Sequence, residues 1–380
     1  MPDLIANISV KELVINIAPL DAIEELKASW QTVEENANGS FFTSWHWIGP
    51  WLETLASRPS VIKITKKGRL IGIGILCQHQ KTKYGITTQQ LFLNRTGDSN
   101  NDQIWIEYND LLCIKGEEEQ VRAAVSQYFS TSLKYFDEFI VGVSSEQITD
   151  TKLPYNHFKE IIWSGKSYLA TLDASYANWE TYLHSLSANT RAQIRRSKRA
   201  YEQYGELTLS AANSEQQALT YFEEAGTYHK IRWQEGEYGS GFNNSCFLKF
   251  HRHLIQTQFK EGAIDILKIS ADNQPIAYLY NFIFKDTVYF YLSGINYFGD
   301  NKHKPGILAH SLAISFYANK GFACYDFMAG ESRYKKSLST SSSQMVIVCF
   351  SQKNIKNRVK HALKKSLQKL RVLKNIIIHR

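Results

Sequence analysis

The sequence has no cysteine arrangement that would build a metal site or a disulfide framework. Its five cysteines, Cys77, Cys113, Cys246, Cys324 and Cys349, are scattered and odd in number, and no two have CxxC spacing. They read as reduced thiols in a cytosol. No run approaches the ~18 consecutive apolar residues of a membrane span. Met1 to Leu20 carries Asp3, Lys11 and Glu12 and lacks the basic start and apolar core of a signal peptide. Disorder is also excluded, because 43% of the residues are hydrophobic and 13% aromatic, enough to bury real cores. At 380 residues the chain fits about two domains.

One segment has no acid. Gln352 to Arg380 holds ten Lys and Arg and neither Asp nor Glu; removing it leaves 34 basic against 36 acidic side chains. The net charge of +8 therefore describes a slightly acidic body with a basic tail, and a pI near 9.0 does not indicate a nucleic-acid-binding body.

Along the chain the same order occurs twice. Val61–Thr65, Leu70–Gln78 and Leu91–Leu93 read as strands, followed by a polar stretch, a helix over Glu117–Tyr128 and a strand at Phe139–Val143. Later, Ile264–Ser270, Ile276–Phe284 and Val288–Ile295 read as strands, with a polar loop, a helix from Pro305 to Lys320 stopped by Gly321, and a strand at Tyr325–Met328. Trp179 to Tyr204 reads as a helical link, Ser339–Ser343 as a loop, and Met345–Phe350 as a last strand. The residues that fill the two patterns differ, so the repeat is one of architecture.

The two polar loops carry opposite charge. The first holds Asp98, Asp102, Glu107 and Asp110; the second holds Lys302, His303 and Lys304 before Pro305-Gly306 at a helix start. A helix start offers unpaired N–H groups and positive potential, and glycine lets a phosphate reach the backbone. The second loop suits a pyrophosphate and the first repels one. An ordinary helix start with solvated lysines is the plainer alternative.

Residues 166–350 resemble the CelD/BcsL-type branch of the GNAT acetyltransferase superfamily, which is related to the FemAB peptidyltransferases. The resemblance rests on Arg191–Arg196, Tyr228–Trp233, Lys304–Leu308, Asp326–Gly330 and Tyr334-Lys335, with Gly97 and Asp102–Asn109 in the first half. The superfamily's usual Gln/Arg-x-x-Gly-x-Gly/Ala phosphate loop is absent. The resemblance implies an α/β (α+β) fold of tandem GNAT-like domains, each a mostly antiparallel mixed sheet flanked by helices, plus a basic C-terminal helix. The expected division is 1–165, 166–351 (acyl-CoA-binding) and 352–380 (tail). It also implies acyl transfer, acetyl in the first instance, from acyl-CoA as co-substrate to an amine or hydroxyl of a cell-envelope or saccharide acceptor, in the cytoplasm and with no metal.

Such a reaction must hold the donor's pyrophosphate, take a proton from the acceptor and stabilise the departing thiolate. The expected donor contacts are Gly306, the N–H groups of Ile307 and Leu308, and Lys304 with Lys302. Tyr334 stands where GNAT enzymes commonly place the acid for the thiolate, and Lys335 serves the same end by charge; packing is the alternative for Tyr334. Asp326 and Glu331 are the candidate bases. Asp326 lies between Tyr325 and Phe327 in an apolar strand, so burial should raise its pKa; the alternative is a residue that only orients the loop. His229, Arg232 and Trp233 combine charge and aromatic surface for an acceptor, and Asp102 and Glu107 would face a cleft between the halves. As a metal pair Asp102 and Glu107 lack a histidine.

Arg191, Arg195 and Arg199 fall on one helical stripe that either meets acceptor phosphate or stays solvated. Without interleaved aromatics it does not indicate DNA. In the tail, Ile355, Val359, Leu363, Leu367, Leu370, Leu373 and Ile377 recur at steps of four and three among basic residues. That pattern predicts a basic amphipathic helix, lying either on an anionic membrane at its inner face or on the protein body with its lysines in water.

Overall fold

Tight turns set the strand registers. Lys67-Gly68, Tyr84-Gly85, Asp272-Asn273 and Lys285-Asp286 each begin with a residue in left-handed backbone, φ 50°, 55°, 48° and 55°. Such two-residue turns match the twist of the strands they join. A computed structural model describes residues 6–10, 12–131, 136–150, 157–236, 239–298 and 303–378.

The first half runs β1 (Ala6–Val10), β2 (Leu13–Pro19), α1 (Ile23–Glu34), α2 (Trp45–Thr54), β3 (Ser60–Lys66), β4 (Arg69–Lys83), β5 (Ile86–Leu93), β6 (Leu112–Cys113), α3 (Glu118–Thr131) and β7 (Glu138–Ser145). The second runs β8 (His157–Thr171), α4 (Trp179–Ser185), α5 (Ala188–Tyr201), β9 (Leu207–Ala211), α6 (Glu215–Trp233), α7 (Ser245–Gln258), β10 (Ile264–Ala271), β11 (Gln274–Phe284), β12 (Thr287–Ile295), α8 (Pro305–Asn319), β13 (Cys324–Ala329), α9 (Arg333–Leu338), β14 (Ser341–Gln352) and α10 (Ile355–Ile378). A strand, two helices, a three-strand meander, a loop, a helix and a strand thus appear twice, as β2 to β7 and as β9 to β13.

All strands join one mixed sheet, ordered β1-β2-β3-β4-β5-β7-β14-β8-β13-β12-β11-β10-β9, with β6 on β4. In each half one pair is parallel and brief. β5 meets β7 from Gln90↔Glu138 to Phe92↔Ile140, and β12 meets β13 from Thr287↔Cys324 to Tyr289↔Asp326. Beyond those residues β12 runs on to Ile295 and β13 to Ala329 without pairing to each other, which opens the sheet between them.

The halves are joined in two ways. β14 sits between β7 of the first half and β8 of the second, pairing with both. On one face, α1 and α2 pack with α6 and α7 in a single core, where Phe41 stacks on Phe282 at 4.3 Å and Trp47 meets Phe250 at 4.7 Å. On the other face α3 covers the first half, and α4, α5 and α8 cover the second.

The structure departs from the expected organisation at three places. The serine-rich run is strand: Ser341, Ser342 and Ser343 pair with Leu169, Tyr168 and Ser167. The expected boundary at 165/166 falls inside β8. The helical link is two helices, α4 and α5, and its arginine stripe is largely spent on structure. Arg191 donates to the carbonyls of Leu183, His184 and Leu186 at the end of α4, and Arg195 pairs with Glu180 at 2.5 Å.

The tail is helical, as its spacing implies, and it does not lie on the body with its lysines in water. Its lysines dock it to the body and its apolar stripe faces outward; the side chains of Leu367, Leu370, Leu373 and Ile377 lie outside the described residues.

Candidate functional site

Between Asp326 and Met328 the pairing of β13 with β8 slips by one residue, a β-bulge. Met328 takes left-handed backbone there, φ 60°. A non-glycine residue in that region is held against its own preference and often marks a functional site. The bulge turns two successive N–H groups toward carboxylates. Met328 N–H donates to Asp326 Oδ1 at 2.7 Å, and Ala329 N–H donates to Glu107 Oε2 at 2.8 Å.

Glu107 comes from the first half, on the loop after β5, and the next residue completes the cluster. Tyr108 O–H donates to Asp326 Oδ2 at 2.6 Å. Tyr108 is also left-handed, φ 49°, as is Trp105, φ 45°. From the short helix α9, Lys335 Nζ donates to the carbonyls of Ala329 at 2.8 Å and Met328 at 3.4 Å. Two acids, a phenol and an ammonium thus converge where the halves meet.

Burial sets their charge. Asp326 is 4% exposed, while Glu107, Tyr108, Tyr334 and Lys335 are half-buried and line the approach to it. Burial pushes the Asp326 carboxyl up to about 6, against the Tyr108 O–H, the Met328 N–H and the Lys335 charge, which favour the anion. Burial also raises Glu107, with neighbouring Asp326 adding to the effect and the Ala329 N–H and Lys335 opposing it. The Lys335 ammonium is pushed down by burial and partly restored by the two carboxylates.

Tyr334 lies beside Lys335. Its ring stacks on His310 of α8 at 4.9 Å and 8°. His310 is buried, shares a hydrogen bond with Tyr325 O–H at 3.0 Å, and is pushed down to about 3, so it is neutral. Burial holds the Tyr334 phenol above its ordinary value, so it too is neutral and able to donate. Glu331, the other candidate base, is exposed.

His310 links this cluster to the start of α8. Lys304 caps that helix with no side-chain hydrogen bond to it, and Pro305 occupies the first turn, where a missing N–H costs nothing. A Cβ built on Gly306 would meet nothing within 4 Å, so the backbone is open to a ligand. Leu308 N–H, expected among the donor contacts, instead donates to Lys304 O at 3.2 Å; Gly306 and Ile307 precede that first helical bond. Lys304 is exposed, its own N–H held by Ser197 Oγ of α5 at 3.1 Å. Lys302 lies outside the described residues. The matching start in the first half is closed: α3 begins with Glu118 and Glu119, and Glu118 Oε2 accepts from Gly116 N–H at 2.7 Å.

The expected acceptor residues divide. Asp102 is turned into its own loop, where its oxygens accept from Thr96 N–H and O–H and Gly97 N–H, and pair with Arg95 at 3.3 Å. It braces that loop and does not face the cleft. His229 is buried against Ser240 Oγ at 2.8 Å and pushed down to about 4 by burial; it ties α6 to the loop after it. Arg232 and Trp233 are exposed, with Arg232 over the ring of Tyr297 at 5.5 Å. Tyr297 is near enough to Tyr334 to add to the upward shift that burial gives its phenol. Sequence reasoning did not single out Tyr108, Tyr297 or Ser197 as site residues. Nothing in one sequence separates Tyr108 from the other tyrosines, and only its place in the Asp102–Asn109 segment drew notice.

A recess with mostly apolar walls lies in the first half beneath α3, lined by Leu91, Phe129, Phe139 and Phe350 among others, and contains none of these residues. Among the described residues no group of three His, Cys, Asp or Glu side chains is arranged to hold a metal ion.

Residues 188–336 match the family model described as an acetyltransferase (GNAT) domain. The chain is similar in fold to a crystal structure of FemX, with a TM-score of 0.53 and 10% identity over 90% of this chain and 98% of that one. It is also similar to the C-terminal domain of a putative lysylphosphatidylglycerol synthetase from Agrobacterium fabrum, with a TM-score of 0.51 and 8% identity over 91% and 97%. No curated protein matches the sequence. At these identities the likeness is one of fold.

Proposed function

We propose, from the match of residues 188–336 to the acetyltransferase (GNAT) domain model, that the protein moves an acyl group, acetyl in the first instance, from acyl-CoA to an amine or hydroxyl of a cell-envelope or polysaccharide-type acceptor. Within the superfamily the CelD/BcsL-type branch is the reading its motifs favour. The proposed units are 1–165, the acyl-CoA-binding 166–351 and the tail 352–380, with β8 running across the first boundary. The thioester donor and the cysteine spacing support a cytoplasmic setting.

The observation that carries this reading is the contrast between the two helix starts. The start of α8 is uncapped by any side chain, open at Gly306 and flanked by Lys304, whereas the start of α3 is filled by its own carboxylate. Gly306 and Ile307 N–H, the positive end of α8 and Lys304 would hold the pyrophosphate. When bound, the thioester supplies the electrophilic carbon. Arg232, Trp233 and Tyr297 present an aromatic and cationic platform to the acceptor.

The Glu107–Asp326 pair takes the proton from the attacking nitrogen or oxygen. As the new bond to the acyl carbon forms, its bond to sulfur breaks. Tyr334 O–H gives a proton to the departing sulfur and Lys335 holds negative charge nearby; the acceptor's proton restores the phenol through the carboxylates. Glu331 remains an exposed alternative to Asp326 as base.

Calorimetric titration with acetyl-CoA tests this. Native protein should bind, and Gly306→Glu should weaken binding by roughly tenfold or more, because a carboxylate would enter the anion cradle. The fold likeness to FemX favours a second reading, a FemAB-like transferase that uses aminoacyl-tRNA. Binding of charged tRNA without acetyl-CoA would favour it. Binding of neither would leave a catalytically silent scaffold for polysaccharide export.

A further inference from the structure

The C-terminal helix is mounted on the body the opposite way round from an ordinary surface helix. Such helices bury their apolar stripe and expose their charges. In α10 the charged side faces the protein. Lys356 pairs with Asp137 at 3.5 Å, Lys360 with Glu138 at 2.5 Å, and Lys364 with Glu160. Between them Asn357 is fully buried and donates to the carbonyls of Asp137 and Gln352, each at 2.9 Å. The apolar stripe is left outside: Ile355 is 81% exposed, Val359 44% and Leu363 39%. The sequence continues the same spacing through Leu367, Leu370, Leu373 and Ile377.

Such a stripe needs a partner, because its exposure is costly and Lys360 and Lys364 beside it are committed to carboxylates of the body. The charge around it identifies the partner. Gln352 to Arg380 carries ten cations and no acid, and Arg358 and Lys365 are exposed beside the stripe. A second copy of this chain laid stripe on stripe would bring two such cationic helices together. An anionic lipid surface offers both an apolar layer for the stripe and negative headgroups for its flanks.

We infer that α10 is a peripheral membrane anchor, clipped to the body through Lys356, Lys360 and Lys364 so that Ile355, Val359 and Leu363 insert into an anionic bilayer surface. This is independent of the acyl-transfer reading. It also separates the lysines by role: Lys360 and Lys364 hold the helix in place, while Arg358 and Lys365 meet the headgroups.

Co-sedimentation of the full chain with vesicles tests it. The protein should bind vesicles made of equal phosphatidylglycerol and phosphatidylcholine, less well at high salt, and should not bind phosphatidylcholine alone. The triple variant Ile355→Ser, Val359→Glu, Leu363→Glu should lose affinity by roughly tenfold or more at an unchanged melting temperature. The double variant Arg358→Gln, Lys365→Gln keeps the stripe and should bind several-fold more weakly. The inference is overturned if native protein ignores anionic vesicles, if it binds neutral ones equally, or if the triple variant binds like native. It is also overturned if native protein is a dimer that the triple variant dissolves, since the stripe would then belong to a second copy.

Discussion

Asp326 shows how one side chain acquires its chemistry from its surroundings. Burial works against its charge, while the Tyr108 O–H and the Met328 N–H work for it, and the balance lies at about 6. If Asp326 is the base, it acts only when ionised. The kcat/KM profile should therefore rise with pH through a midpoint near 6 and level off above 7. Asp326→Asn should flatten that limb and lower kcat by roughly 10²–10⁴-fold. Tyr108→Phe removes a donor that favours the anion, so the midpoint should move upward, by about one unit; an unmoved midpoint would detach Tyr108 from the reaction. The same shift bears on stability. A buried carboxyl with a raised pKa favours folding most when protonated, below its ordinary 3.8, and that contribution is lost as pH rises through about 6. Asp326 was legible because a charge amid Tyr325, Phe327 and Met328 is conspicuous. The Tyr108 contact was not, because it joins residues 218 positions apart.

Elements were legible where backbone constraints punctuate the chain. Pro305 starts α8 and Gly321 ends it: Gly321 sits at φ 84°, with Gly321 N–H donating to Ala318 O and Phe322 N–H to Tyr317 O. Gly321→Ala would force a Cβ into left-handed backbone and should cost about 1 kcal/mol, read as a lower denaturation midpoint with an unchanged slope. The meander strands were legible for the same reason, through their turns. β8 was not, because Ile161, Ile162, Trp163 and Ser164 are all exposed and no alternation of apolar and polar residues marks them. The outer arms of β4 and β5, with Lys81, Lys83 and Tyr84 in water, lack the pattern likewise. Bulges leave no trace in composition, so the turn of backbone that brings Asp326 and Glu107 to adjacent N–H groups had no signal.

For the molecule as a whole, the repeat was legible and its fusion was not. Phe41 is fully buried and stacks on Phe282 of the other half. Phe41→Ala should cost about 3–5 kcal/mol, and it should lower one shared transition rather than split off a less stable half. Two separate transitions in native calorimetry would show that the halves unfold independently.

The position of β14 has a bearing on biosynthesis. A ribosome delivers residues in order, and early segments begin to fold as they emerge. Here the strand that fills the centre of the sheet comes from residues 341–352, so β7 and β8 wait with open edges until those residues have emerged. Those edges are where a nascent chain is exposed to aggregation and to chaperones. A product cut short before Ser341 would lack the middle of the sheet, and quality control would meet it as a misfolded protein rather than as a smaller working one.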